Sequence, residues 1–356
     1  MREQISYEIT ELNYHDRSGN LKAQASGVVK SEKFFPYYIQ KNKEKIIFKP
    51  LSKTKPLTTP LFAYAEVFWS YVINQYFMPA PLYQLAICHG YENEQPKYYD
   101  YGTIVPSICK EGEKLVNLLE FFREHSDTQV NIDDYENYCM IFYDYTDIFE
   151  SEFFQSRKDF GEELAMHVLV SMLKGDQNYH YENVAFLCNG QGEILRLAPM
   201  IDHEFSTMFL FPDDMGSYVE SYMELIHSVK GSGNISLKQI KDEKQQKMVE
   251  ASSENLHRNI HYIMKKFPKV VKRFLQGLEA FERELEMFSL KDFGYLFPCN
   301  SWSYTIGKAR YKDCEEEKAK ELEEKISYTE IDIVFIEKRL KKTIKKVAEV
   351  LKEEMG

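Results

Sequence analysis

The sequence predicts an α+β protein built as a small β-rich lobe followed by a larger, mainly helical lobe. Three observations predict it. Residues 1 to about 112 alternate short strand-like runs around one amphipathic helix. From residue 113 onward apolar residues recur at helical rather than strand spacing. One segment breaks that helical half: Val184–Cys188 and Ile194–Met200 are short apolar runs on either side of Asn189-Gly190-Gln191-Gly192, a strong hairpin turn signal.

In the first lobe, Phe34–Gln40 and Lys45–Pro50 read as neighbouring strands around the polar turn Lys41-Asn42-Lys43-Glu44. A helix follows, with Thr59 as N-cap and Pro60 at the first helical position. Its apolar face is Leu61, Phe62, Ala65, Phe68, Trp69, Val72 and Ile73, and Pro79-Ala80-Pro81 ends it. Leu82–His89 and Tyr98–Val105 read as two further strands joined by a polar loop, Gly90–Pro96. In the second lobe Leu164–Leu173 is almost wholly apolar, which predicts a buried helix leading directly into Lys174-Gly175-Asp176. Leu256–Phe267 and Val270–Phe288 read as helices, and Lys230–Asn234 as a loop between helical stretches. The last forty or so residues form a charged amphipathic helix. Its stripe, Ile333, Ile336, Leu340, Ile344, Val347 and Leu351, is most simply a face turned to the core, with a coiled-coil partner surface as the alternative.

Composition narrows the functional classes. The chain of 356 residues is 44% hydrophobic and 28% charged, ordinary for a soluble globular protein. A formal net charge of −11 argues against direct nucleic-acid binding, which needs a basic footprint. The six cysteines are scattered without a C-x-x-C pair, so structural zinc is not expected and free thiols in a reducing cytoplasm are. The opening residues, MREQISYEITELNYHD, lack the apolar run of a signal peptide. No stretch of about 18 apolar residues predicts a membrane span.

The candidate chemistry lies in residues 174–206. Asn183 sits just before the first hairpin strand and Asp202 just after the second, so pairing brings an amide oxygen and a carboxylate to the same open end. Oxygen donors of this kind suit Mg²⁺ shared with a nucleotide's phosphates. His180 lies beside them, as a loop-stabilising hydrogen-bonding group or as a packed ring. Lys49, in the strand Lys45–Pro50, is a candidate for pairing with α- and β-phosphates. Glu66, on the following helix, is its natural carboxylate partner. Against this, Lys49 and Glu66 read as a surface strand lysine and a solvated helix residue, Asn183 as a turn residue, and Asp202 as a helix N-cap or turn residue. Ser26-Gly27 could let backbone N–H groups approach phosphates, or could form a plain turn.

These segments resemble the HipA-like kinases. The resemblance rests on FKP with Lys49, the acidic helix residue Glu66, GDQNYHYENVAFL and LAPMIDHEFS, with a looser match over Asp100–Leu118. It spans roughly residues 20 to 290, and the two segments in the second lobe carry its specificity. The resemblance implies a bilobal protein-kinase-like fold with ATP bound between the lobes, the metal-site hairpin in the larger lobe, and phosphorylation of a protein Ser or Thr hydroxyl. It implies that Lys49 contacts ATP and that Asn183 and Asp202 bind Mg²⁺. Several family members are toxins of toxin–antitoxin modules or bacterial effectors, so an antitoxin partner is also implied.

One position departs from the family. Its catalytic aspartate lies five residues before the asparagine, where this chain has Asn178, followed by Tyr179. An asparagine cannot accept the hydroxyl proton. Asp176, seven residues before Asn183, is the nearest carboxylate and reaches the site only through a rearranged loop. Alternatively Asn178 only orients the hydroxyl, because phosphoryl transfer relies chiefly on positioning and charge stabilisation. The third reading is a pseudokinase, a nucleotide- or partner-binding module. Two matches elsewhere are discounted. Asp292-Phe293-Gly294 spells a kinase metal tripeptide, but it reads as the turn at the end of a helix. His257-Arg258-Asn259 resembles a catalytic-loop start, but it lies within a predicted helix and has Met264 where an asparagine is required.

Overall fold

The structure, a computed structural model, describes residues 10–15, 37–41, 44–50, 59–92, 95–124, 142–176, 179–203, 206, 243–287 and 330–355. Ser26, Gly27, Asn178, Lys230–Asn234 and Asp292-Phe293-Gly294 lie outside them. Both helices and β-sheet are present, as the α+β expectation requires. The described residues fall into two compact units. One holds those up to Tyr71, Pro81–Ser107 and the start of the last helix up to Glu337. The other holds Val72–Ala80, those from Ile108 to Met287, and those from Lys338.

The first unit is a five-stranded sheet in the order β1-β4-β5-β3-β2, with β1 Thr10–His15, β2 Tyr37–Lys41, β3 Glu44–Pro50, β4 Gln84–Glu92 and β5 Gln95–Pro106. All neighbours are antiparallel except β1, which runs parallel to β4 and was not anticipated. The expected loop Gly90–Pro96 shrinks to two residues, because the strands continue through polar positions with a bulge at Gly90/Tyr91. Polarity alone does not end a strand when a neighbour satisfies its backbone. Helix α1, Thr59–Tyr76, starts and stops where the proline signals place it. Residues from Ala65 to Ser70 are all buried, so its middle is enclosed rather than one-sided. Ser70 Oγ accepts from the backbone N–H of Tyr83 at 3.1 Å and donates to the Val67 carbonyl, pinning the chain that enters β4.

The second unit carries a three-stranded antiparallel sheet, β6 Lys114–Asn117, β7 Ala185–Cys188 and β8 Ile194–Leu197, in that order. Strand β6 replaces the expected helix start. Lys-Leu-Val-Asn has too few residues to show a period, and pairing with β7 decides its conformation. Helix α2, Leu118–Glu124, follows at once, with the Asn117 side chain accepting from the Glu120 N–H at 2.7 Å. Short helices α3 Thr146–Glu150 and α4 Glu152–Ser156 lead to α5, Lys158–Lys174, which is buried from Leu164 to Leu173 as its composition predicts and, beyond that expectation, at Lys174. Phe186 on β7 packs its ring 5.0–6.0 Å from those of Phe121, Phe153, Phe154 and Phe160.

Helices α6 Glu243–Lys266 and α7 Pro268–Met287 complete the helical layer. The discounted His257-Arg258-Asn259 lies inside α6, where buried Asn259 bonds the N–H of Tyr145 and the carbonyl of Tyr143, both at 2.7 Å. A Cβ at Gly277 of α7 would come within 2.5 Å of the Tyr76 carbonyl, so glycine permits the close approach to the end of α1. On α8, Glu330–Met355, the stripe residues Ile336, Leu340, Ile344, Val347 and Leu351 are buried within the chain, as the core-facing reading expects.

Candidate functional site

The β7–β8 hairpin builds the site. Phe186 pairs with Leu197 and Leu187 with Arg196, and the Ala198 N–H donates to the Ala185 carbonyl at 2.7 Å. The pairing thus continues past the strands towards an open end where Asn183 and Asp202 both lie. At the closed end Asn189 organises the turn. Its Oδ1 accepts from the N–H groups of Gln191 and Glu193, both at 2.9 Å, and Gly192 supplies a positive φ of 87°. Across the sheet, Arg196 makes a two-pronged bond to Glu113, 3.0 and 2.9 Å, which holds the Glu113 carboxyl below its usual range.

The loop before β7 folds onto the start of α2. The Leu118 N–H is shared between the carbonyls of Tyr181 and Val184, and the Asn183 N–H donates to the His180 carbonyl at 2.9 Å. His180 is 16% exposed, and its Nδ1 accepts from the Glu182 N–H at 3.3 Å. Burial pulls its pKa down, while Glu182, Asp202 and Asp176 pull it the other way.

Asp202 is half-buried, with φ 62°. It is the one non-glycine residue with a positive φ among those described. A left-handed backbone costs an L-residue up to about 1–2 kcal/mol, with aspartate among the more tolerant side chains, and such conformations cluster at functional sites.

Behind this open end lies a cluster that the sequence reading did not find. Helix α5 ends on Lys174, capped by left-handed Gly175 at φ 62°. The Lys174 side chain is fully buried, and its Nζ lies 2.6 Å from Asp176 Oδ2 and 3.1 Å from Nδ1 of buried His203. Asp176 is 2% exposed, so its carboxylate meets a lysine rather than solvent. Asp176 also bridges to Ser206, whose Oγ donates to the Lys174 carbonyl at 2.7 Å. The rings of Tyr145 and Tyr179 are buried 5.4 Å apart, and burial pushes both phenols far above their usual range. The one signal for this cluster in the sequence is a lysine closing an otherwise apolar helix.

Asp176, His180, Asn183 and Asp202 therefore share the second unit, while Lys49 and Glu66 belong to the first. Lys49 occupies β3 opposite Thr103. Glu66 is 1% exposed on α1, which excludes the solvated-residue reading. No group of three or more His, Cys, Asp or Glu suited to a metal occurs among the described residues. No helix among them is long and apolar enough to cross a membrane.

No protein-family model matches the chain, and no curated protein matches it. Among solved structures, the chain is similar to the crystal structure of a Helicobacter pylori proinflammatory kinase, CtkA. The match has 12% identity and a TM-score of 0.42, covering 76% of this chain and 99% of that one. A likeness at that level carries no chemistry with it, and the functional reading rests on the residues.

Proposed function

We propose that the chain transfers the γ-phosphoryl group of ATP, taken as its Mg²⁺ complex, to a Ser or Thr hydroxyl of a protein, on a bilobal kinase-like fold. The observation that carries this reading is Asp202. A carboxylate in a strained left-handed conformation, at the open hairpin end that also holds Asn183, is the kind of local cost kept for a function. An amide oxygen and a carboxylate suit Mg²⁺, which takes few protein ligands and shares phosphate oxygens.

Asn183 and Asp202 would hold the ion, which when bound neutralises phosphate charge. Lys49 would pair with the phosphates, with Glu66 orienting it and the Ser26-Gly27 backbone near them. In the transfer the bond from Pγ to the β,γ-bridging oxygen breaks, a bond from the acceptor oxygen to Pγ forms, and ADP leaves. Asn178 and His180 would position the acceptor hydroxyl, whose proton passes to solvent or to the transferred phosphoryl group. Buried Asp176 is engaged by Lys174 and supports the loop. By resemblance, the protein is the toxin of a toxin–antitoxin pair acting in the cytoplasm, with an antitoxin as partner.

A second reading, a module that binds nucleotide without transferring phosphate, is favoured by one observation: the carboxylate nearest the family's catalytic position is committed to a buried ion pair. One experiment separates the two. The full chain, Asn178→Asp and Asp202→Ala are compared for melting temperature with ATP and Mg²⁺, and for transfer of label from γ-labelled ATP to protein. The kinase reading expects stabilisation and labelling by the parent chain, both lost in Asp202→Ala. Stabilisation with no labelling, even in Asn178→Asp, selects the binding module. Absence of both stabilisation and labelling overturns both readings.

A further inference from the structure

The strained residue and the buried ion pair are neighbours, since His203 follows Asp202 directly. An ammonium group has only donors, so in the contact between Lys174 Nζ and His203 Nδ1 the lysine donates and the ring nitrogen accepts. Lys174 thus donates at once to Asp176 on its own segment and to His203 on the other. Two further ties reinforce the join: Ser206 Oγ donates to the Lys174 carbonyl, and Asp176 and Ser206 form an antiparallel bridge. Within the end of α5, the Asp176 N–H returns to the Ser171 carbonyl at 3.0 Å. The end of α5 and the stretch from His203 to Ser206 are therefore fastened together. On the other side of Asp202, the Ala198–Ala185 bond fastens the chain leaving β8. Asp202 lies between two fixed ends.

Resting on the proposed function, we infer that Lys174, with Asp176 and His203, is a positioning clamp that imposes the left-handed backbone on Asp202 and so sets its carboxylate for the divalent ion. Lys174 and His203 acquire a role that neither the hairpin nor the loop motif assigns. Asp176 becomes part of the clamp rather than the proton acceptor. A buried pair serving stability alone makes a different prediction, because well-packed apolar replacements of both partners would then restore everything.

The test uses the full chain in two clampless backgrounds. Lys174→Met/Asp176→Leu removes both charges together, so that no buried charge is left unpaired. His203→Leu cuts only the limb to the metal segment and leaves the ion pair, which keeps the test open if the double variant does not fold. Asp202→Gly is then placed in the parent and in each background, and melting is followed without nucleotide. Glycine adopts a left-handed backbone freely, and its larger unfolded-state entropy cancels between backgrounds. The clamp predicts that Asp202→Gly shifts the melting temperature more favourably in the parent, by about 1–3 °C. Equal shifts in all backgrounds overturn the clamp. A second readout is the Mg²⁺ concentration that half-saturates stabilisation by ATP. It is expected to rise at least about tenfold in folded clampless variants that still carry Asp202, and an unchanged requirement also overturns the inference. A parent chain that ignores ATP and Mg²⁺ altogether strikes at the proposed function instead, because the glycine cycle is read without either.

Discussion

At the closed end of the β7–β8 hairpin, Asn189 satisfies the backbone of its own turn, and Arg196 meets Glu113 in a two-pronged bond. The turn's own partners are close in sequence, Arg196 reaches Glu113 over the intervening β7, and water reaches the turn. The open end is built differently. Lys174, Asp176 and His203 are buried together, Asp202 is held at a positive φ, and Tyr145 and Tyr179 have hydroxyls with no hydrogen-bond partner among the described residues. His167, two turns back along α5, is buried with neither ring nitrogen partnered among those residues. One end follows local rules of turn chemistry, and the other departs from several rules at once. Departures of that kind concentrate where a chain does something other than fold, which is why the open end, rather than the turn, is the candidate site.

The contrast can be broken by acid. Burial, with Lys174 nearby, lowers the His167 pKa to about 3. The unfolded chain takes up this proton near the ordinary value of about 6.5. Because the folded pKa is the lower one, the native state binds fewer protons between those values. Stability is complete above about 6.5 and drains away as pH falls towards 3, by on the order of 5 kcal/mol. His167→Leu removes that slope. Urea midpoints at pH 7 and pH 4 should show the variant no less stable at pH 7 and clearly more stable at pH 4. Parallel losses in parent and variant would place the acid sensitivity elsewhere. Slightly smaller is the effect expected for Lys174→Met alone. It takes the ammonium away from the buried Asp176 carboxylate, a loss of up to about 3–5 kcal/mol by chemical denaturation. A change below about 1 kcal/mol would mean that the pair is not buried in solution and that the open end resembles the turn.

How far each end can be read from residues alone follows from the same difference. The turn is legible because Asn189-Gly190-Gln191-Gly192 between two apolar runs acts over a few bonds. The bounds of α1 are legible because Pro60 and Pro79 act on their own neighbours, and the stripe on α8 is legible because its period is long. The β7–β8 pairing that the turn implies is present, and Asn183 and Asp202 flank its two strands. Strand β6 was not legible, since four residues become a strand only when β7 pairs with them. Nor was the parallel pairing of β1 with β4. The burial of Lys174 was hidden by an ordinary expectation, that a lysine in the last turn of a helix answers the helix dipole in water. One of its partners is His203, 29 residues away, and no local pattern announces that meeting. The φ of Asp202 was hidden for the same reason, because its cause lies in the fixed segments on either side.

The smallest expected effect is the sharpest check on the separation of the two ends. Asn189→Ala removes two acceptor contacts to the N–H groups of Gln191 and Glu193 and one donor contact to the Glu193 carboxylate at 2.7 Å. All three bonds are exposed, so water takes over the freed groups, and the loss is the net worth of a few hydrogen bonds rather than a buried-group penalty, about 1 kcal/mol. Gly192 still supplies the positive φ that the turn requires, and β6 still pins β7 from the other side, so the register at Asn183 and Asp202 has no reason to slip. The denaturation midpoint should fall slightly while the Mg²⁺ requirement for stabilisation by ATP stays where it was. A tenfold change in that requirement would mean that the turn transmits to the open end along the strands, and the clamp at Lys174 would then be one of two devices setting Asp202 rather than the principal one.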